Sequence, residues 1–349
     1  MRKGDKSNKI IHWEDTLISK ESISIGIIKK IRRAVKKIKC SVKPYIKKDK
    51  DNKDNKDNKD NKNNELNRLV AIGDIHGDYE HLISVLRHAR LIDKENNWIG
   101  KDSILVQVGD ITERGNDTLK CFETLINISE QAKEKGGIVH VLIGNHDLLT
   151  LEGNHYYTSL KDFESFGGVE ALEEAFSPEG KIGKFFRHEM HTALVVGDTI
   201  FAHAGVQPEF VTEGIDKLNE KARKILLDTP SIEELYQLVL KNITHPIYVD
   251  PIFTNDGNGG PIWSNRFAIG IENEEMCSKI EKTLELTNTK RMIVGHTVQP
   301  YGKIRTKCHN KLIMIDVGIS RCIAAGGYYG YLEMLLDKNE IWARYFGSD

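Results

Sequence analysis

Cysteine is scarce in this chain, five in 349 residues, and no two stand in a C-x-x-C pair. Cys40, Cys121, Cys277, Cys308 and Cys322 are too widely spread for a zinc ribbon or a thioredoxin-type pair, and too few for a disulfide-built scaffold. They read as reduced, partly buried thiols in a reducing compartment. Long apolar runs are also missing: nothing approaches the ~20 uninterrupted apolar residues of a membrane span. The first ten residues are polar and basic with no apolar stretch behind them, so a cleavable signal peptide is not expected, and Arg2 excludes the myristoylation signal. An excess of charge of one sign is absent too, since the net is −1. With 39% apolar residues the composition excludes a collagen-like fibre and a wholly disordered chain.

The near-zero net charge conceals two opposed parts. Residues 1–64 hold 20 Lys/Arg and 9 Asp/Glu, a net of +11, which leaves 30 and 42, a net of −12, for residues 65–349. Residues 51–62 repeat Asp-Asn-Lys four times with nothing apolar to bury, the composition of a disordered linker. Before the repeat, Ile27, Ile31, Val35, Ile38 and Val42 form a helical stripe, and residues 22–48 carry ten Lys/Arg and no acid. Such a basic amphipathic segment suits an anionic membrane surface or a polyanion. The opposing readings are a basic disordered extension, or a helix docked on the chain's own acidic body. Cytoplasmic residence, with surface association through this segment, is the expected localisation.

From residue 66 the pattern changes. Short β-rich runs lie at 69–72, 104–108, 138–143, 193–202, 292–294 and 312–315, with amphipathic helix-length stretches at 79–89 and 117–133. The alternation opens as βαβαβ, and a layered α/β domain is expected over residues 65–349. A hairpin is expected around Gly197-Asp198 and a further helix over 231–241.

Five of these runs end in a short polar signature: Gly73-Asp74-Ile75-His76-Gly77, Gly109-Asp110-Ile111-Thr112-Glu113-Arg114-Gly115, Gly144-Asn145-His146-Asp147, His203-Ala204-Gly205 and Gly295-His296-Thr297. Ligand sites of open α/β sheets collect where strand carboxyl ends meet loops. Asp, His and Asn supply oxygen and nitrogen donors that suit Mn, Fe or Zn better than Cu(I). A carboxylate such as Asp110 can bridge two ions ~3.5–4 Å apart, and water between them becomes a strong nucleophile. Any one of these signatures alone is an ordinary turn or a hydrogen-bonded structural histidine. Five in order, each at a strand end, are not.

The ordered set resembles the phosphoprotein phosphatase superfamily of metallophosphoesterases, over about residues 66–349. The resemblance implies a layered β-sandwich flanked by helices and two divalent metal ions. It implies Asp74 and His76 on one ion, Asp110 bridging, and Asn145, His203 and His296 on the other. It further implies that Arg114 grips the substrate phosphate and that His146 protonates the leaving oxygen. Two departures stand out. Glu113 replaces the Asp that orients the catalytic histidine, and Asp147 replaces the Glu that ends the third motif. Both keep the charge, so activity is expected to survive.

The SAPNYC segment of common Ser/Thr phosphatases is absent, and Asp316-Val317-Gly318-Ile319-Ser320 stands there. Glu152-Gly153, Tyr156-Tyr157 and Gly260-Pro261-Ile262-Trp263-Ser264-Asn265-Arg266 look like the bacterial-type Shewanella-like protein phosphatases. That match makes Arg266 a second phosphate clamp, one residue later than the pattern. The expected substrate is a phosphoprotein, with no specific nucleic-acid binding. Two rivals are a symmetrical dinucleotide polyphosphate hydrolase, which also resembles Gly144-Asn145-His146-Asp147-Leu148, and a phosphate-binding scaffold without catalysis.

Overall fold

The computed structural model describes residues 68–255 and 259–347. The basic stripe and the Asp-Asn-Lys repeat lie outside these residues. Ten strands form two five-stranded sheets among them. In the first sheet β1 (Arg68–Ile72) pairs in parallel with β2 (Ile104–Gln107), and β2 with β3 (Ile138–Val141). Its other side is an antiparallel hairpin, β9 (Tyr329–Leu335) and β10 (Glu340–Phe346), joined to β1 through β9.

The second sheet runs in the order β4 (Ala193–Val196), β5 (Thr199–Ala202), β6 (Arg291–Val294), β8 (Leu312–Met314), β7 (Arg305–Lys307). The expected hairpin is β4–β5, turning at Gly197 with φ +58°. Strands β5, β6 and β8 are mutually parallel, so their carboxyl ends share one edge.

Strands β1 and β2 read as nearly unbroken apolar runs because both faces are covered. Leu69, Val70, Ala71 and Ile72 are all fully buried, as are Leu105 and Val106 beside them. Each such aliphatic burial contributes about 1.5–3 kcal/mol. Helices α1 (Tyr79–His88) and α2 (Thr118–Glu134) follow β1 and β2, each presenting an apolar stripe that includes Leu82, Val85 and Leu86 or Phe122, Leu125 and Ile126. Phe122 meets Phe176 edge-on, ring centres 5.6 Å apart. Phe176 ends the second of three short helices, α4 (Leu160–Phe166), α5 (Val169–Phe176) and α6 (Lys181–His188), which follow α3 (Asn145–Leu151). Two longer helices come next, α7 (Ile215–Asp228) and α8 (Ile232–Leu240). The latter begins where expected, with Ser231 and Glu234 forming a reciprocal cap. After α9 (Arg266–Ile269) comes α10 (Glu274–Leu286).

One sequence expectation is corrected. Cys277 in α10 and Cys308 in the β7–β8 turn form a disulfide, so they are not reduced thiols; Cys121 and Cys322 are free. The pair is 31 residues apart, beyond any short motif, and only the packing of α10 against the hairpin brings it together. Closing a loop of that size contributes about 2–4 kcal/mol in the chain-entropy account.

Two histidines flank the end of β3. His191 donates its backbone N–H to Val141 O at 3.0 Å, and its ring meets that of His140 edge-on at 5.4 Å. Burial holds both imidazoles below the ordinary 6.5, His191 to about 4, with His140 and Arg223 adding to the effect. Between pH 6.5 and 4 the unfolded chain therefore takes up protons that the folded chain refuses, and stability falls as pH falls through that window. His191→Gln is expected to flatten this part of the profile in urea unfolding at pH 6.5, 5.5 and 4.5. An unchanged fall in the variant would show that the pair is not its source.

Candidate metal centre at the strand ends

The carboxyl ends of β1, β2, β3, β5 and β6 carry the five signatures, and hydrogen bonds across the two sheets bring them together. From the first sheet's side, Val108 O accepts from His203 Nδ1 at 2.8 Å. From the second, the His296 backbone N–H points at both carboxylate oxygens of Asp74, 3.1 Å from each. All six expected ligands, Asp74, His76, Asp110, Asn145, His203 and His296, lie in this region, the first five buried.

Asp110 sits at the centre. Its carbonyl accepts from the N–H groups of Ile75 and His76, both at 2.9 Å, and its Oδ1 accepts from His146 N at 2.9 Å. Oδ2 is left facing His203 Nε2 at 3.4 Å and His76 Nε2 at 3.6 Å. The approach of β2 and β3 is close enough to require glycine: a Cβ on Gly144 would stand 2.2 Å from Asp110 N and Oδ1. Gly109, at φ +99°, would meet Gly144 N at 2.6 Å and His203 Nδ1 at 2.9 Å.

The imidazoles are oriented from behind. His76 Nδ1 lies 3.0 Å from Thr112 O, and His203 Nδ1 lies against Val108 O, so in each ring Nδ1–H donates to a carbonyl and Nε2 presents a lone pair inward. His203 Nε2 lies 3.0 Å from Asn145 Oδ1, and His296 Nδ1 lies 2.9 Å from that oxygen and 3.2 Å from His203 Nε2. Acceptor atoms thus converge in a buried space with too few protons to satisfy one another. Oxygen and imidazole donors converging this way fit divalent cations. Two close groups, His76–Asp110–His146 and Asp110–His203–His296, share Asp110, as a bridging carboxylate would.

The electrostatics carry the same mark. Burial and the neighbouring Asp316 push the Asp74 carboxyl well above the usual range. Asp110 is held well below it: burial opposes its charge, but His203, His146 and His76 outweigh burial. Burial likewise opposes protonation of His203, yet Asp110 and Asp74 lift it to about 10, while burial and His203 drive His296 to about 3.

Beside this cluster stands a second group. Glu113 Oε2 holds His146 Nδ1, so the longer side chain does reach the imidazole. Glu113 and Arg114 both adopt left-handed backbone, φ +65° and +64°, which turns the two side chains toward His146. Arg114 Nη2 lies 3.2 Å from His146 Nε2, and its guanidinium rests 4.7 Å from the Tyr157 ring centre. Arg266 is placed differently. It opens α9 and lines a cavity of about 490 Å³ with Asn265, Phe267, Met276 and Lys279, a lining that holds none of the six candidate ligands.

Sequence reasoning gave no role to Asp147, which is fully buried and accepts four backbone N–H groups: Gly144 at 3.0 Å, Asp110 at 2.9 Å, Ile111 at 2.9 Å and Thr112 at 3.0 Å. It ties the loop after β2 to the start of α3, so the shorter acid at the end of the third motif is a backbone clamp. The Tyr157 contacts were also unassigned, although the Tyr pair itself was visible. An amide at position 147 keeps one acceptor oxygen and aims N–H groups at N–H groups. Asp147→Asn is therefore expected to destabilise the metal-free protein by about 2–4 kcal/mol in urea unfolding. A loss below about 0.5 kcal/mol would refute the clamp.

The family profile described as calcineurin-like phosphoesterase matches residues 67–300. The chain is 30% identical over 302 residues to Shewanella-like protein phosphatase 2 of Arabidopsis thaliana, covering 74% of this chain and 73% of that one. It is also 30% identical over 281 residues to Shewanella-like protein phosphatase 1 of Plasmodium berghei, covering 79% and 73%. Among solved structures it resembles a cold-active protein-tyrosine phosphatase of a psychrophilic Shewanella species, with TM-score 0.62, 24% identity, and 77% and 75% of the two chains covered. With its fold, converging donor atoms and ordered motifs, the chain belongs to the calcineurin-like phosphoesterases, and within them to the Shewanella-like protein phosphatases, which makes it a metal-dependent phosphatase.

Proposed function

We propose that the centre holds two divalent cations drawn from Mn, Fe and Zn, one by Asp74, His76 and Asp110, the other by Asp110, Asn145, His203 and His296, and that it hydrolyses phosphomonoesters on proteins. The carrying observation is the convergence of acceptor atoms on Asp110 Oδ2. Bound there, the cations would activate water and neutralise phosphoryl oxygens.

The chain's own residues supply the rest. Arg114 presents a guanidinium at the edge of the cluster, suited to two phosphoryl oxygens at once. The Tyr157 ring and the backbone hydrogen bond that Arg114 N–H donates to Tyr157 O, 2.9 Å, hold it there. His146 is the general acid. Glu113 fixes its Nδ1–H, and Nε2, the atom beside Arg114, gives the proton to the departing oxygen. Once a phosphate draws Arg114 to itself, Nε2 is released, takes up a proton from water and presents it to the leaving group. The motif match assigns Arg266 to the phosphate as well. The basic segment at 22–48 supports attachment of the enzyme to an anionic surface, a reading that rests on its charge and helical spacing alone.

A general acid matters most when the leaving group is poor. His146→Asn is expected to lower kcat for phenyl phosphate about 10²-fold or more, yet that for 2,4-dinitrophenyl phosphate less than about 10-fold. Steady-state kinetics of the Mn-loaded protein on the two esters measures this. Equal losses on both would remove His146 from that role.

A further inference from the structure

Away from the strand ends, one more group of metal-ligating side chains gathers among the described residues. Cys277 near the start of α10, Cys308 in the β7–β8 turn and Glu272 in the loop before α10 bring two sulfurs and a carboxylate oxygen within 4.8 Å of one another. The carboxylate is fixed there, since Glu272 Oε1 accepts from Cys308 N at 2.8 Å. Cys308 is buried and Cys277 half-buried, which leaves their disulfide within reach of a small reductant.

The turn and the helix do not depend on that disulfide to stay together. Lys307 Nζ donates to Phe267 O at 3.0 Å, Ala268 O at 2.6 Å and Gly270 O at 2.7 Å, which docks the turn on α9 and the residue after it. Lys311, on the far side of the turn, pairs with Glu281 of α10. Asn273 Oδ1 caps α10 by accepting from Met276 N at 2.8 Å. Opening the sulfur–sulfur bond therefore leaves two thiols and a carboxylate facing one another on backbone that is still held.

Two thiolates and a carboxylate are a donor set for a borderline-soft, four-coordinate cation. Zn²⁺ takes such ligands at about 2.3 Å to sulfur and about 2.0–2.2 Å to oxygen, with water in the fourth position. We propose that reduction of the Cys277–Cys308 disulfide creates a site for one such cation, held by Cys277, Cys308 and Glu272 and separate from the strand-end centre. A trialkylphosphine supplies the two electrons: phosphorus takes the oxygen of one water to become a phosphine oxide, the S–S bond breaks, and the two protons of that water go to the sulfurs. Cation binding then releases both thiol protons to solvent. Where thiols are kept reduced, the cation replaces the disulfide as the tie between α10 and the turn.

The test adds Co²⁺ to full-length protein, after the phosphine is removed under argon, and reads the sulfur-to-cobalt charge-transfer band in the near ultraviolet. No ligand of the strand-end centre carries sulfur, so Co²⁺ there is silent in this band, and the reading does not depend on phosphatase activity. The disulfide form is expected to show no band, and the reduced form a band that saturates at one Co²⁺ per chain and is bleached by Zn²⁺. Cys308→Ala is expected to abolish it, Glu272→Gln to weaken Co²⁺ binding there at least tenfold, and Cys322→Ser to leave it unchanged. Should Cys308→Ala fail to fold, Cys277→Ala, at the half-buried position, is read by the same criterion. A reduced wild type without the band, a full band in either cysteine-to-alanine variant, or its loss in Cys322→Ser would overturn the proposal. Glu272→Gln binding within twofold of wild type would overturn the three-ligand site.

Discussion

The rest of the molecule depends on where Asp110 is held. Its carbonyl fixes the β1 loop, its N–H is fixed by Asp147, and its Oδ1 fixes the start of α3. Its Oδ2 is then the one atom left to face the imidazoles. Three of this residue's four polar atoms are committed, two to neighbouring backbone and one to the Asp147 carboxylate, so the fourth is aimed with little freedom. Such preorganisation is what an electrostatic catalyst requires.

Holding that geometry has a conformational cost. His76, Asp110, Glu113, Arg114 and His296 all lie at positive φ, between +45° and +65°, where side chains other than glycine's are disfavoured. Each is pinned by partners on a different element, and the pinning crosses both sheets. The Asp147 clamp and the contacts at Gly109 and Gly144 leave the loops no room to relax. The fully buried strands behind the site supply the stability to sustain these five positions, and positive φ also occurs away from it, as at Arg90, Tyr301 and Ala325.

Much of this was legible in the sequence. The runs at 69–72 and 104–108 had to be strands of a covered sheet, because they lack the alternation of a half-exposed one. The motifs at their ends follow from the fold's rule for ligand position. What was not legible depended on partners distant in sequence. The hairpin of β9 and β10 pairs with β1 across more than 250 residues, and the three short helices over 160–188 have stripes too brief to read. The disulfide needed the packing of α10 against the β7–β8 turn. Glu113 showed the same limit: the sequence marks it only as a departure from the family's Asp, and its contact with His146 Nδ1 emerges only in the fold. Asp147 and Asp316 read as charges in loops, and only counting hydrogen bonds distinguishes a saturated carboxylate from one with a free oxygen.

The account turns on two cations sharing Asp110. Anomalous diffraction at the manganese edge, from crystals of the protein grown with Mn²⁺, addresses it directly. Two peaks about 3.5–4 Å apart, both within bonding distance of Asp110, are the expected result. A single peak, or two peaks with Asp110 bound to neither or only one, would contradict it.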